Sequence, residues 1–289
     1  MSSVHTPKVF KTHEEQLEIL KQRGLKVDDD TEALNTLKKI NYYRLTGYML
    51  TMKVNDEFHS DASFNDAVRL HNFDEKLRRI LLRAIESIEI SFKAQLAYSF
   101  ADTYGPLGYL FSENFNHDQK SKKFHGDFIE KLSNTIMNSS DLFVVHHRKH
   151  YNSKLPIWGA VELLTMGNIS KFYKNMHSKD KKVISKSLYN GLSHAVLSNW
   201  LEAITILRNT CAHYSRVYNK KFSFSIRLSP KIKLNNSKLV SFIYILKILL
   251  SKQEWSRFLN SFLVLTEEYD DVIEMHHMGF YNNWKEYIN

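Results

Sequence analysis

Histidine and arginine, two residue types that can catalyse reactions of a phosphate ester, lie close together in LRNTCAHYSRVYN, residues 207–219. Histidine can accept and release a proton near neutral pH, and arginine can bind a phosphate group through two parallel hydrogen bonds. Arg208 and His213 are five residues apart, and basic and aromatic residues follow them. A proton-transfer group and a fixed cation at this spacing indicate a site that could act on such an ester.

The apolar helix predicted from about 193 to 212 sets the direction of the arginine. At about 100° per residue, one stripe of this helix contains Leu197, Trp200, Leu201, Ile204, Leu207 and Cys211. Arg208 projects within that stripe, and a buried unpaired charge is costly. It must therefore meet a carboxylate, cap the edge of the core, or face a pocket for an anion. The candidate acids for a buried ion pair are Glu86, Glu89 and Glu162.

The histidine does not share the direction of the arginine. His213 lies about 140° around the helix from Arg208, on the side of Asn209 and Glu202. The two side chains could converge if the helix frays at Ala212, if the arginine uses its full reach, or if two chains form the site. The spacing alone is weak support, because a chain with 14 histidines produces such pairs by chance.

The basic segment, residues 203–253, contains ten lysines and arginines and no acidic residue. A segment of this charge should attract a polyanion, although a solvated basic face is an equally good interpretation. Aromatic residues among the cations suit unpaired bases better than a regular duplex, which favours RNA over DNA. The expected RNA contacts are Tyr214, Arg216, Tyr218, Lys220, Lys221, Arg227, Lys231 and Lys233.

Few turn-forming residues interrupt the chain: 289 residues contain 9 glycines and 4 prolines. Long amphipathic stretches dominate, so the sequence predicts an all-α helical bundle. Residues 1–60 are expected to form an N-terminal helical appendage with two short helices, over 13–25 and 28–50. Residues 61–289 form the core, with a long helix over 65–99 as its spine. Residues 222–228 and 231–234 could form a small β-hairpin around Ser229-Pro230.

Several classes of protein can be set aside from composition. The single cysteine, Cys211, allows no intrachain disulfide and no cysteine-rich zinc site, and it reads as a core residue on the apolar stripe. The first residues lack an apolar signal region, and the longest apolar run, VSFIYILKILL, is too short to span a bilayer. We therefore expect a cytoplasmic protein with no membrane partner. A metal site at HHRKH, residues 146–150, has histidines at positions i and i+4 but no third ligand nearby.

Four stretches in order resemble bacterial Abi-like abortive-infection proteins of the AbiD and AbiF type. They are LRNTCAHYSRVYN, INYYRLTGYML at 40–50, PIWGAVELLTMGNISKFY at 156–173 and MGFYNNW at 278–284. The first matches the family pattern R-N-x-C-A-H-H-x-R followed by an aromatic residue and asparagine. The resemblance covers nearly the whole chain.

The resemblance implies an HEPN-like helical core and a metal-independent ribonuclease site that needs no cofactor. Arg208 and His213 match the Arg-x4-6-His motif of that superfamily, and Asn209 matches its polar second position. Tyr214 stands where a second histidine is often found, which puts an auxiliary acid in doubt but leaves the main pair intact. Such sites usually form between two HEPN units, so a homodimer is expected. Proteins of this kind resemble toxins, so a silencing partner is also expected, and a small RNA bound to the basic segment could be that partner.

An alternative function uses the same surface without chemistry. A regulator that only binds RNA requires the cations and aromatic residues of the basic segment. Cleavage requires in addition that Arg208 and His213 lie in one cleft. The relative placement of these two side chains is therefore the observation that separates the two functions.

Overall fold

The N-terminal part of the computed structural model contains three short helices, and the structure describes residues 9–281 and 284–288. The helices are α1 (His13–Gln22), α2 (Asp30–Lys39) and α3 (Tyr42–Tyr48). The first ends as predicted, near Gly24, whose φ of 89° suits glycine. The single helix predicted over 28–50 is wrong. Ile40 adopts an extended conformation, and the Asn41 side chain accepts the Tyr43 N–H at 2.9 Å, which starts a new helix.

A two-stranded antiparallel sheet follows, formed by β1 (Lys53–Val54) and β2 (Glu57–Phe58). Asn55 and Asp56 join the strands with positive φ angles of 50° and 69°, which asparagine and aspartate tolerate in tight hairpin turns. The small hairpin therefore exists, but not where the sequence placed it.

Residues 222–228 and 231–234 contain no strand, so the predicted position of the hairpin is wrong. The Phe222 N–H donates to the Ser237 carbonyl at 2.8 Å, and the Ile226 N–H donates to the Asn236 carbonyl at 3.0 Å. The two donors are four residues apart in the chain, but their acceptors are adjacent residues. The two strands of a regular β-ladder advance by equal numbers of residues, so this segment cannot form one. Phe222 and Ile226 are buried, so this stretch packs on the core as irregular chain.

The predicted spine is present and longer than expected, as α4 (Phe64–Tyr104) with 41 residues. It begins with a capping box between Ser63 and Asp66 and ends at Gly105, where φ is 75°. At 1.5 Å per residue its length is about 60 Å, enough to contact most of the core. One side of it is buried along the whole helix, through Phe73, Leu77, Leu81, Ile85, Ile88, Phe92 and Leu96.

The remaining helices pack around this spine. They are α5 (Gln119–Asn138), α6 (Leu142–His150), α7 (Ile157–Ala160), α8 (Met166–Asn175), α9 (Ser178–Leu188), α10 (His194–Ala212), α11 (Leu239–Leu249), α12 (Lys252–Glu268) and α13 (Lys285–Ile288). The spine contacts α10 and α12 most extensively, and α10 also packs against α8. The all-α fold class is confirmed, and in the described part of the chain no helix combines the length and apolar character needed to cross a membrane.

Buried side chains form a large cluster in the bundle and a smaller one at the N-terminal end. The smaller cluster contains Leu17, Leu20, Leu37 and Leu45. Tyr48, three residues after Leu45, belongs to the large cluster. Helix α3 therefore packs into both, and it lies next to the end of α10.

Candidate active site at the end of α10

The apolar stripe predicted for α10 is confirmed. Its six members are buried, with exposed fractions of 0–4%. Cys211 is 1% exposed, and burial raises the pKa of its thiol to about 12. A thiol with so high a pKa has almost no thiolate near neutral pH, so Cys211 is a core residue and not a nucleophile.

Arg208 is half-buried at the edge of this stripe. Within the described residues its guanidinium group has no hydrogen bond and no ion pair. Glu86 and Glu162 are exposed, and Glu89 pairs with Lys93 at 3.2 Å. The structure therefore does not pair Arg208 with the three candidate acids, and its charge is free to meet an anion.

His213 directly follows the last residue of α10 and its side chain is exposed. Its backbone N–H donates to the Asn209 carbonyl at 3.0 Å, so helical hydrogen bonding continues to the end of the segment. The helix does not fray at Ala212, and the offset of about 140° between Arg208 and His213 stands. The two side chains share no hydrogen bond in the described part of the chain.

A left-handed turn ends the helix just after this histidine. Tyr214 has a φ of 57°, and the Ser215 N–H donates to the Thr210 carbonyl at 2.9 Å. This pattern satisfies the last carbonyl groups of the helix and reverses the chain. Tyr214 is 69% exposed, so its ring is available to a ligand beside His213.

A buried carboxylate fixes the chain that follows the turn. Asp74 of α4 is fully buried and accepts the N–H groups of Val217 at 2.9 Å and of Tyr218 at 2.6 Å. Its second oxygen accepts the Tyr48 hydroxyl at 2.8 Å and is ion-paired with Arg78, which is 4% exposed. Both carboxylate oxygens of Asp74 therefore have two partners each, and a buried charge is stable only when it is paired and hydrogen-bonded in this way. Burial and the neighbouring carboxylate hold the pKa of the Tyr48 hydroxyl well above its usual range.

A second link runs from α3 to the turn itself. The Arg44 guanidinium group donates from Nη1 to the Tyr214 carbonyl at 2.5 Å, and the rest of this side chain is exposed. Tyr48 and Leu45 on the same helix are buried. The motifs at 40–50 and 207–219 are therefore joined through hydrogen bonds as well as through apolar packing.

The predicted RNA contacts of the basic segment differ in exposure. Tyr218 is 1% exposed, and its hydroxyl accepts the Glu274 N–H at 3.0 Å, so its ring belongs to the core and cannot stack on a base. That expectation is wrong, because the bonds of Val217 and Tyr218 to the buried Asp74 hold both residues in the core. Arg216 and Lys220 are half-buried, and the other charged members are exposed: Lys221, Arg227, Lys231 and Lys233.

Two places bring metal-ligating residue types together. His146 and His150 lie on α6 with ring centroids 4.7 Å apart, and no third ligand joins them among the described residues. Glu274 lies 3.3 Å from the Nδ1 atom of His276 and 3.7 Å from the Nε2 atom of His277. The three ligand atoms lie within 4.8 Å of one another, and Glu274 and His276 are exposed while His277 is half-buried. Burial lowers the pKa of His277, which favours its neutral form.

Sequence reasoning missed Asp74, Arg78 and Arg44. In α4 an Asp and an Arg four residues apart look like an ordinary surface ion pair, and only their position on the apolar side of the spine could have marked them. The hydrogen bonds of Asp74 to the turn join residues 143 and 144 positions apart, which no local pattern reveals.

The fold and this region define an all-α protein with a half-buried arginine, an exposed histidine and a turn fixed by a buried carboxylate. The family model of the Abi-like proteins matches residues 35–219, a span that begins in α2 and ends at the last residue of the candidate segment. The chain therefore belongs to the Abi-like protein family, which makes it an abortive-infection protein in the general sense. No curated protein and no solved structure matches the chain significantly. Of the fourth stretch, residues 278–284, positions 282 and 283 lie outside the described residues.

Proposed function

We propose that this abortive-infection protein is a metal-independent endoribonuclease of the HEPN type, in which His213 moves a proton and Arg208 binds phosphate. The observation that carries the proposal is the position of His213. Its imidazole is exposed at the end of α10, Arg44 binds the Tyr214 carbonyl in the turn beside it, and Asp74 binds the chain that follows the turn. Catalytic groups are most effective when the surrounding structure holds them in place before the substrate binds.

The chemistry uses the substrate's own nucleophile. His213 removes the proton from a ribose 2′-hydroxyl, and the oxygen attacks the adjacent phosphorus. The bond from phosphorus to the 5′-oxygen breaks, and that oxygen takes up a proton to become a 5′-hydroxyl. The other product carries a 2′,3′-cyclic phosphate. Arg208 neutralises the charge that grows on the phosphoryl oxygens through its paired N–H groups.

Asn209 completes the proposed set of catalytic residues. It is exposed on the same side of α10 as His213, one turn earlier. Its amide can donate to a phosphate or ribose oxygen and can accept from a hydroxyl group. We assign it the role of positioning the RNA strand beside the imidazole.

The divergence of Arg208 and His213 supports a site built from two chains. Two copies related by a twofold axis can bring the arginine of one copy against the histidine of the other, whereas the offset of about 140° separates the two side chains on one regular helix. We therefore propose a homodimer as the active form. RNA is the proposed substrate, and a small RNA on the basic segment is the proposed inhibitor.

A second candidate function is an RNA-binding regulator that does not cut. The exposed cations of the basic segment favour this function, and no acidic residue lies between positions 203 and 253 to neutralise them. These cations are Lys221, Arg227, Lys231 and Lys233. Such a surface binds a polyanion whether or not a bond is broken. The two functions differ in whether pure protein shortens an RNA strand.

An RNA cleavage assay in the presence of a metal chelator distinguishes the ribonuclease from the regulator that only binds RNA. We expect protein freed of bound nucleic acid to cut a labelled single-stranded RNA at the same rate with and without EDTA. The reason is that histidine and arginine supply both the proton acceptor and the positive charge. Gel analysis of the products measures the rate. Cleavage that EDTA abolishes, or RNA that is bound and never cut, would count against the ribonuclease.

A further inference from the structure

We propose that Arg44 of α3 and Arg216 of the segment after the turn form a second phosphate-binding site, which takes a phosphodiester group of RNA next to the one that is cut. The inference rests on the proposed function, because that function makes RNA the ligand. It adds α3, far outside the basic segment, to the surface that binds the strand.

Arg44 offers most of its hydrogen-bonding capacity to solvent. One N–H of its Nη1 atom is used by the Tyr214 carbonyl at 2.5 Å, and among the described residues no carboxylate pairs with this guanidinium group. An arginine has five N–H donors in a rigid fork, so four remain for a ligand. The contact to Tyr214 also fixes the location of the charge, which is one residue along the chain from His213.

Arg216 also lies close to this helix. A Cβ atom placed on Gly47 would be 3.9 Å from its Nη1 atom, so the guanidinium group lies close to the backbone of α3. Gly47 is three residues after Arg44, and residues at this spacing share one face of a helix, so Arg216 lies beside the face of α3 that carries Arg44. The Nη1 atom of Arg216 is enclosed and has no hydrogen-bond partner.

The acids that could neutralise this pair are already engaged. Asp74 is saturated by Arg78, a hydroxyl group and two backbone N–H groups, and Glu274 contacts two neighbouring histidines and no arginine among the described residues. Two further basic residues, Lys221 and Lys238, lie in the same region. Burial lowers the pKa of Lys238, and the charges of Arg216 and Lys221 lower it further. A half-buried arginine without a counter-ion is costly, and a bound phosphate would remove that cost.

The salt dependence of RNA binding tests this site without relying on cleavage. The probe is a labelled single-stranded RNA, bound by full-length protein that carries His213→Ala so that the strand stays intact. Each phosphate contact on a single strand contributes about 0.7 to the slope of log affinity against log salt concentration. We expect Arg44→Gln and Arg216→Gln each to reduce the steepness of the slope by about that amount, and to weaken binding about tenfold in low salt.

Two further variants make the result specific. Arg83→Gln removes the same charge from an exposed position on α4, and it should leave the slope unchanged. Arg44→Lys keeps the charge and should retain the slope while losing part of the affinity, since lysine lacks the fork. Thermal melting identifies any variant that fails to fold. The exposed Arg44 provides the test if the half-buried Arg216 cannot be replaced.

Failure of this inference can be told apart from failure of the proposed function. If wild-type protein cuts RNA and both glutamine variants bind with the slope of Arg83→Gln, the second phosphate site is wrong and the ribonuclease stands. If wild-type protein never cuts but the slopes fall as expected, the ribonuclease is wrong and the phosphate site stands. Absence of any RNA binding by wild-type protein would overturn the site as well.

Discussion

Replacing His213 by alanine should lower the rate of single-turnover RNA cleavage by about 10²-fold or more, the usual effect of losing a general acid-base group. The imidazole is exposed, and no side chain relies on it for a hydrogen bond in the described part of the chain. The variant should therefore fold normally and bind RNA nearly as well as the wild type. Single-turnover conditions, with enzyme in excess, measure the chemical step without product release.

His150→Ala is the matched control for this experiment. His150 is likewise an exposed histidine at the end of a helix, α6, and its neighbours are basic. It should cut at the wild-type rate, which would exclude a general effect of removing one imidazole. A folded His213→Ala protein that retains full activity would remove this histidine from the mechanism.

Arg208 is half-buried on an apolar stripe, so Arg208→Gln, which keeps most of the length of the side chain, is the inactive variant, and Arg208→Lys is the gentler probe. Arg208→Lys keeps the positive charge but loses the planar fork that grips two phosphate oxygens.

Replacing Asp74 by alanine should reduce the free energy of unfolding by about 3–5 kcal/mol, the range for breaking a buried ion pair by removing one partner. The substitution leaves Arg78 buried without a counter-ion, and it leaves the N–H groups of Val217 and Tyr218 without an acceptor. Urea denaturation followed by circular dichroism gives the change, provided that the slope with denaturant stays constant.

Asp271→Ala provides the comparison for that measurement. Asp271 also pairs with an arginine of α4, Arg69, but its side chain is 56% exposed. Exposed ion pairs contribute little to stability, so this variant should be nearly as stable as the wild type. Equal losses for the two aspartates would mean that the buried network does not hold the turn.

Local periodicity predicted the elements that carry the candidate site. The apolar positions of α10 and α4 repeat over many turns, so their helical form and their buried sides follow from the sequence. The break at Ile40 and the location of the hairpin did not follow. The break and the hairpin each depend on a few residues. Their conformation is set by side-chain caps and by contacts with residues distant in sequence.

The parts of the site that sequence reasoning missed are those that depend on long-range contacts. Arg44 meets the Tyr214 carbonyl across 170 positions, and Asp74 meets the same region across more than 140. Tyr218 was misjudged for the same reason, since its burial depends on contacts with Asp74 and Glu274, which are distant in sequence. The angular offset of Arg208 and His213 was predictable, because it follows from the geometry of one regular helix.

The claim that Arg208 and His213 form one cleavage site across two chains is tested most directly by combining two inactive variants. Arg208→Gln and His213→Ala chains are expressed together with different affinity tags, and the mixed dimer is purified through both tags. In a twofold dimer with shared sites, one of the two sites regains both residues, so the mixed dimer should cut RNA at about half the wild-type rate. A folded mixed dimer as inactive as either parent would contradict the shared site.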